Sequence, residues 1–393
     1  MKRTIIAAVT LLIASAAFAQ QALVPGTGLV SPEINPDNSV TFRYYNPKAI
    51  TVQVTGDFLP SQVQTITAEG RQRRMDVPGV ADLKEENGIW TYTTEPLEGE
   101  LYSYSLIVDG FKTMDPSNIY QNRDIATWTN IFTLSTEKGD KGWYYEVHDV
   151  PHGNVSKVWY DSPTLGLKRR MTVYTPAGYE KNTKTKYPVF YLLHGSGGDE
   201  DAWADLGRAV QILDNLIEKG LAKPMIVVMP NGNPNQQAAQ TFGLPTTELD
   251  WRNQENRNLY VKSLVEEIVP FIEKNYRVVA KKSHRAIAGL SMGGGHTIAA
   301  SGMYPDKFDY ICPLSMGANK SPELDAQLQG IKRAGYKLYW LACGNTDFLF
   351  DRANELDAAL TENGLEHTYY VSEGGHVWAN WRLYLNTFAP LLF

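Results

Sequence analysis

The stretch His284–His296, HRAIAGLSMGGGH, carries a serine in a setting that could make it a nucleophile. Gly289-Leu290-Ser291-Met292-Gly293 follows a short apolar run and opens a helix of small residues. A serine at so sharp a strand-to-helix turn has a strained backbone, an exposed hydroxyl and the next backbone N–H aimed at the same point. Glycine is needed on either side because a Cβ would strike the neighbouring helix or strand. Such a serine attacks acyl carbonyls. At neutral pH it does so only with a base in hydrogen-bond reach, itself oriented by a carboxylate.

The sequence has seven histidines. His148 and His152 precede the part of the chain that holds Ser291, His284 and His367 begin strands and so lie at the wrong end, and His296 falls inside the helix after the serine, where it packs or faces solvent. His376 follows the strand-like HTYYVSEGG and precedes the last helix, which makes it the expected general base. Between the two, KLYWLACG runs into Asn345-Thr346-Asp347 and places Asp347 just beyond a strand. Its competing role is a helix N-cap. Asp351 is the second choice, and Glu355 is already inside the next helix. Asp347 would fix the His376 tautomer and stabilise the imidazolium without taking the proton.

An oxyanion needs two preorganised N–H donors. Met292, directly after the serine, is one. Ser196 in His194-Gly195-Ser196-Gly197-Gly198 is the other, with Gly195 as its alternative, and His194 is expected to brace this loop. The loop lacks the G-x-G-x-x-G spacing and the following lysine of a phosphate cradle, and no set of His, Cys and carboxylates has metal spacing. Neither a cofactor nor a metal is expected.

These residues need elements to hold them. From about 155 onward YPVFYLLHG, PMIVVMPNG, HRAIAGLS, YICPLSM, KLYWLACG and HTYYVSEGG are apolar runs suited to strands covered on both faces, with helical patterns between them. Val261, Leu264, Val265, Ile268 and Ile272 mark one helix face. That alternation predicts a doubly wound, mostly parallel sheet. From about 28 to 135 the chain reads as short β-branched and aromatic strands divided by Pro, Gly, Asn and Asp, an antiparallel sandwich. The charged segment Ser135 to Lys141 is the expected junction.

Met1-Lys2-Arg3, an apolar run and Ala17-Phe18-Ala19 before Gln20 read as a secretory signal. The run is too short for a membrane anchor, and no Cys follows the cleavage site to take a lipid. The expected division is a signal peptide over 1–19, a β-sandwich module over 20–137 and a catalytic domain over 138–393, in a secreted or periplasmic protein. Cys312 and Cys343 are expected as two buried thiols instead of a bridge. A net charge of -6 without a basic run argues against nucleic acid and anionic membrane partners.

YPVFYLLHGSGGDEDAW, HRAIAGLSMGGG, GNTD and EGGHVWANW, in that order over roughly 155–393, resemble carbohydrate esterase family one, especially its bacterial feruloyl esterases. SPTLGLKRRMTVYTPAGYE resembles the opening strands of that domain. In the N-terminal part, NPDNSVTF, YSYSLIVDG and DPSN resemble the early-set Ig-like modules attached to glycogen- and starch-acting enzymes. The resemblance implies an α/β-hydrolase fold, a doubly wound mostly parallel sheet, preceded by an all-β Ig-like sandwich. It further implies release of ferulate or related hydroxycinnamates from arabinose side chains of xylan, with feruloylated arabinoxylan or its oligosaccharides as the partner.

A hydroxycinnamoyl ring needs an apolar slot. Trp251, Phe348, Leu349 and Trp378 are candidate walls, each equally suited to core packing. The long segment 233–254 is a candidate lid or binding loop. Trp90, Tyr92, Tyr102 and Tyr104 of the module read as sandwich faces ahead of a sugar platform. An acetyl xylan esterase, a siderophore esterase and a glycan-binding protein with an inert hydrolase domain stay open as alternatives. The oligomeric state is open as well.

Overall fold

The computed structural model describes residues 28–68, 71–125, 127–136, 140–239 and 254–393. The proposed signal segment lies outside them. Eight strands build the larger sheet: β1 (Asn154–Ser162), β2 (Leu167–Thr175), β3 (Val189–Leu193), β4 (Ile226–Pro230), β5 (Arg285–Leu290), β6 (Tyr310–Leu314), β7 (Leu338–Gly344) and β8 (Thr368–Ser372). Their spatial order is β1-β2-β4-β3-β5-β6-β7-β8. The first two form an antiparallel hairpin and β2 runs antiparallel to β4. Every pair from β4 across to β8 is parallel.

The apolar runs are continuous because both faces of this sheet are covered. Alternate residues point to opposite sides. Tyr191, Leu193, Ile287, Ile311 and Leu341 share a core with Leu264, Ile268, Leu356 and Leu360. Phe190, Leu192, Ala288, Cys312 and Trp340 share the other with Ile212, Leu216, Tyr384 and Phe388. The helical face read from sequence is the buried one, from Val261 through Ile272. Cys312 and Cys343 are both free and buried, and burial raises both thiol pKa values, so neither forms a thiolate at neutral pH.

Residues 33–134 form a β-sandwich. One sheet centres on Val40–Tyr45 and Ile89–Thr93, the other on Val52–Gly56, Glu100–Val108 and Thr127–Leu134. Phe42, Val54, Tyr104, Leu106 and Phe132 close its interior. Trp90 and Tyr104 are buried, Tyr92 packs against that interior, and Tyr102 stacks on Phe132 with ring centroids 5.3 Å apart. These rings fill the sandwich. A separate hairpin, Gln62–Ala68 with Arg71–Val77, has no counterpart in the apolar pattern, because its sequence is largely polar.

The module is welded to the sheet domain. Leu101 and Tyr145, the latter from the short helix Lys141–Tyr145 at the junction, belong to the same core as Ile212 and Phe388. Arg382, on the last helix Trp378–Phe388, donates to Glu100 (3.1 and 3.2 Å), to Leu101 O (2.9 Å) and to Leu206 O (2.9 Å). Both charged side chains are almost wholly buried. Removing one partner strands the other away from water, which costs about 3–5 kcal/mol. Arg382→Met should therefore lower the thermal midpoint by several degrees, whereas an unchanged midpoint would mean that the pair contributes nothing.

Candidate active site

The carboxyl ends of β3, β5, β7 and β8 carry the loops singled out from sequence. Ser291 follows β5 and starts the helix Met292–Met303 with φ 51 and ψ −117, a backbone that side chains other than glycine avoid. Close packing forces it. A Cβ on Gly289 would lie 2.4 Å from Gly293 O, and one on Gly293 would lie 2.6 Å from His194 O and Leu193 O. The helix can approach β3 and β5 only over bare backbone, and the turn between them has no room to relax.

His376 Nδ1 lies 2.9 and 3.0 Å from the two oxygens of Asp347. The Nδ1–H donates to the carboxylate, which leaves Nε2 free to accept. Burial alone would raise the Asp347 carboxyl. Hydrogen bonds from His376, Leu349 N–H and the Ser315 side chain, with the His376 charge, hold it below its ordinary value. Leu349 N–H is 2.9 Å from Oδ1. Ser315, after β6, is fixed in turn by Trp381, whose Nε1 donates to its Oγ at 3.0 Å. Trp381 also stands edge-on to the His376 ring, 4.9 Å between centroids. The hydrogen bonds of the described residues join Asp347 to His376 but do not include one from Ser291 Oγ to His376, a contact that often tightens only when substrate binds.

Loop 194–198 lies against the serine: a Cβ on Gly195 would be 3.3 Å from Ser291 Cβ. His194 braces it, with Nδ1–H donating to Gly195 O (2.7 Å) and Nε2 accepting from Gly232 N–H (2.7 Å). Burial pushes His194 down to about 4, so it is neutral at physiological pH. Asn233 donates to Gly198 O at 2.7 Å, and Arg169 holds Asn231, Asn233 and Gln236 by their carbonyls. Met292 N–H is in the first helical turn, where amides have no intrahelical acceptor. Ser196 is exposed on the loop. His296 is buried against Tyr260, 4.5 Å between rings, and burial pushes it down to about 3.

Of the four candidate walls, Phe348 is 75% exposed with its ring 4.5 Å from His376. Leu349 acts through its backbone on Asp347. Trp378 packs between Trp203 and Trp381, at 5.4 and 5.0 Å, and lies half-buried against the core. Trp251 and residues 240–253 of the long segment lie outside the described residues. Sequence reasoning missed Ser315 and Trp381, although Ser315 has the same signal as Asp347, a polar residue just past the carboxyl end of a strand. It also missed the contact that the β-module makes with this site. Asp124 is hydrogen-bonded by the Trp378 side chain and senses the His376 charge. Among the described residues no group of His, Cys, Asp and Glu could hold a metal ion.

The chain is 34% identical to the endo-1,4-β-xylanase/feruloyl esterase of Xylanibacter ruminicola over 367 residues, which is 92% of this chain and 46% of that protein. It thus spans less than half the length of that curated relative. The solved CE1 ferulic acid esterase of the anaerobic fungus Anaeromyces mucronatus superposes with a TM-score of 0.53 at 25% identity, over 63% of this chain and 96% of its own. The enterobactin esterase of Shigella flexneri shares the fold over 90% of this chain and 93% of its own, with a TM-score of 0.60 at 15% identity. Residues 162–391, more than half of the chain, match the family described as putative esterase. The chain belongs to that esterase family.

Proposed function

We propose that this chain is a secreted carbohydrate ester hydrolase that releases ferulate and related hydroxycinnamates from feruloylated arabinoxylan. The observation that carries this reading is the Asp347–His376 pair at 2.9 Å, held on the same edge of the sheet as the strained Ser291. The likeness to a xylanase/feruloyl esterase and to a CE1 ferulic acid esterase supports the choice of acyl group and glycan. The amino-terminal signal pattern supports export.

In this mechanism Ser291 Oγ attacks the ester carbonyl while His376 Nε2 takes its proton. The tetrahedral oxyanion rests on the Met292 and Ser196 N–H groups. Collapse breaks the carbon–oxygen bond, and His376 returns the proton to the departing sugar alcohol. Water, deprotonated by His376, then attacks the acyl-enzyme, and ferulate leaves as Ser291 regains its proton. Asp347 holds the Nδ1–H tautomer throughout and offsets the imidazolium charge.

Ser291→Ala should abolish release of ferulate from methyl ferulate while leaving the fold intact, and near wild-type turnover would refute the assignment. Asp347→Asn should lower kcat about ten-thousandfold by presenting the wrong tautomer; the same loss in Asp351→Asn instead would move the acid to that residue. A panel of methyl ferulate, an aryl acetate and a siderophore ester identifies the acyl preference, with methyl ferulate expected to be cleaved fastest.

The same pair governs acid stability. The folded pKa of Asp347 lies below its ordinary value of 3.8. Its stabilising contribution is therefore complete above the unfolded pKa and is lost as pH falls through the folded one. Thermal midpoints of Asp347→Asn should fall less than those of the wild type as pH is lowered below about 4. Parallel acid profiles would mean that the pairing adds no stability.

A further inference from the structure

The hairpin Gln121–Asp124 and Thr127–Leu134 of the β-module reaches the site just described. Asp124 pairs with Thr127, so residues 125 and 126 alone connect the strands. Two-residue connections favour Asn, Asp or Gly, because the backbone must enter the left-handed region. The first residue here is Ile125 at φ 50, where a β-branched side chain is strained. The turn itself gives no reason for an isoleucine. Its neighbour does. Ile125 lies on Gly197, so close that a Cβ there would come within 2.8 Å of its Cγ2. Gly197 directly follows Ser196 of the oxyanion loop. Even so, 55% of Ile125 stays exposed, leaving an apolar face beside the open site.

Both flanks of the hairpin are fastened. Arg123 forms an ion pair with the buried Asp199, and its Nη1 donates to Ile125 O at 2.6 Å. Asp124 is hydrogen-bonded by Trp378, two residues beyond His376. Next to the hairpin a cleft of about 360 Å³ opens between Arg123 and Trp128 on the module and Asp199, Asp201 and Asp205 on the sheet domain. Trp128 is 52% exposed there.

The two halves of an ester leave its carbonyl in different directions. The alcohol oxygen must depart beside His376, because that imidazole protonates it. The hairpin touches the oxyanion loop at Gly197 and meets Trp378, two residues past His376, so it borders the imidazole beside which the alcohol must leave. We propose that Ile125, at the tip of this hairpin, is a specificity-determining contact for the alcohol half of the ester, and that a bulky sugar alcohol rests on it and continues into the cleft beside Trp128. Ile125 offers an apolar surface to the C–H face of the sugar, Trp128 a ring, and Arg123 with the carboxylates a set of hydroxyl partners. A methyl alcohol is too small to reach them. This inference rests on the ester-hydrolase reading.

The test compares one acyl group on two alcohols, methyl ferulate and ferulate esterified to an arabinoxylo-oligosaccharide. Glycine is at ease at positive φ, so Ile125→Gly should keep or raise the thermal midpoint. It should leave kcat/KM for methyl ferulate within about twofold and lower that for the oligosaccharide ester about tenfold, mainly through KM. Trp128→Ala should act in the same direction. Ile125→Asn, also tolerant of that backbone, replaces the glycine variant if it does not fold. Equal losses on both esters, or no loss on either, would overturn the proposal. Failure of the wild-type protein to cleave methyl ferulate would instead overturn the ester-hydrolase reading, so the two remain separable.

Discussion

The site depends on a backbone constraint at one residue. Ser291 is held at φ 51 because the helix behind it packs directly onto β3 and β5 over Gly289 and Gly293. Any side chain at either glycine pushes the helix away and lets the turn unwind toward an ordinary conformation. The strain is offset by a sheet that is buried on both faces, with β3, β4 and β6 inaccessible along their whole length. A half-exposed sheet would have less packing to set against a strained residue at its edge. The nucleophile geometry is thus a consequence of the core and not of the loop alone.

The loops opposite the serine are fixed by a different device, buried polar groups that are almost fully paired. Arg170 bonds Glu200 at 2.6 Å, and the other Glu200 oxygen accepts from Asn231 at 3.0 Å. His194 ties loop 194–198 to Gly232, and Asn233 ties it again through Gly198. Each bond in water would contribute little, but a lost partner in this interior leaves a buried group unsatisfied, which is costly. The loop that presents Ser196 is therefore rigid before substrate arrives. Preorganisation of that kind is what an oxyanion donor requires.

What the sequence revealed, and what it withheld, follows from distance along the chain. Parallel strands buried on both faces give unbroken apolar runs, so β3 to β7 could be read directly. Asp347 and His376 could be read because each comes just past such a run. Trp378 was ambiguous, since an aromatic at the start of an amphipathic helix serves a core and a ligand equally well, and it packs half-buried between Trp203 and Trp381. Ser315 offered only its place past a strand, and Trp381 and the Arg382–Glu100 pair were illegible. Their meaning lies in partners up to 282 positions away, and no local period encodes such a partner. The polar hairpin over residues 62–77 lacked the apolar alternation from which strands are inferred.

The module's place in the structure follows from the same distinction. A carbohydrate-binding domain joined by a flexible linker would leave no buried charge at its junction. Here Glu100 and Arg382 are desolvated together, and Leu101 shares a core with the last helix. Separating the two parts would expose that core and unpair both charges, so the arrangement is rigid. Rigidity is what allows a turn some distance from the sandwich core to bear on the ester. Through Asp124 the hairpin meets Trp378, at the start of the helix that follows His376, and through Ile125 it meets the loop that carries Ser196. The sandwich thus borders the base and one oxyanion donor, while both are fixed by bonds within the sheet domain. A strained isoleucine at the point where those contacts converge is better explained by what it touches than by the turn it occupies.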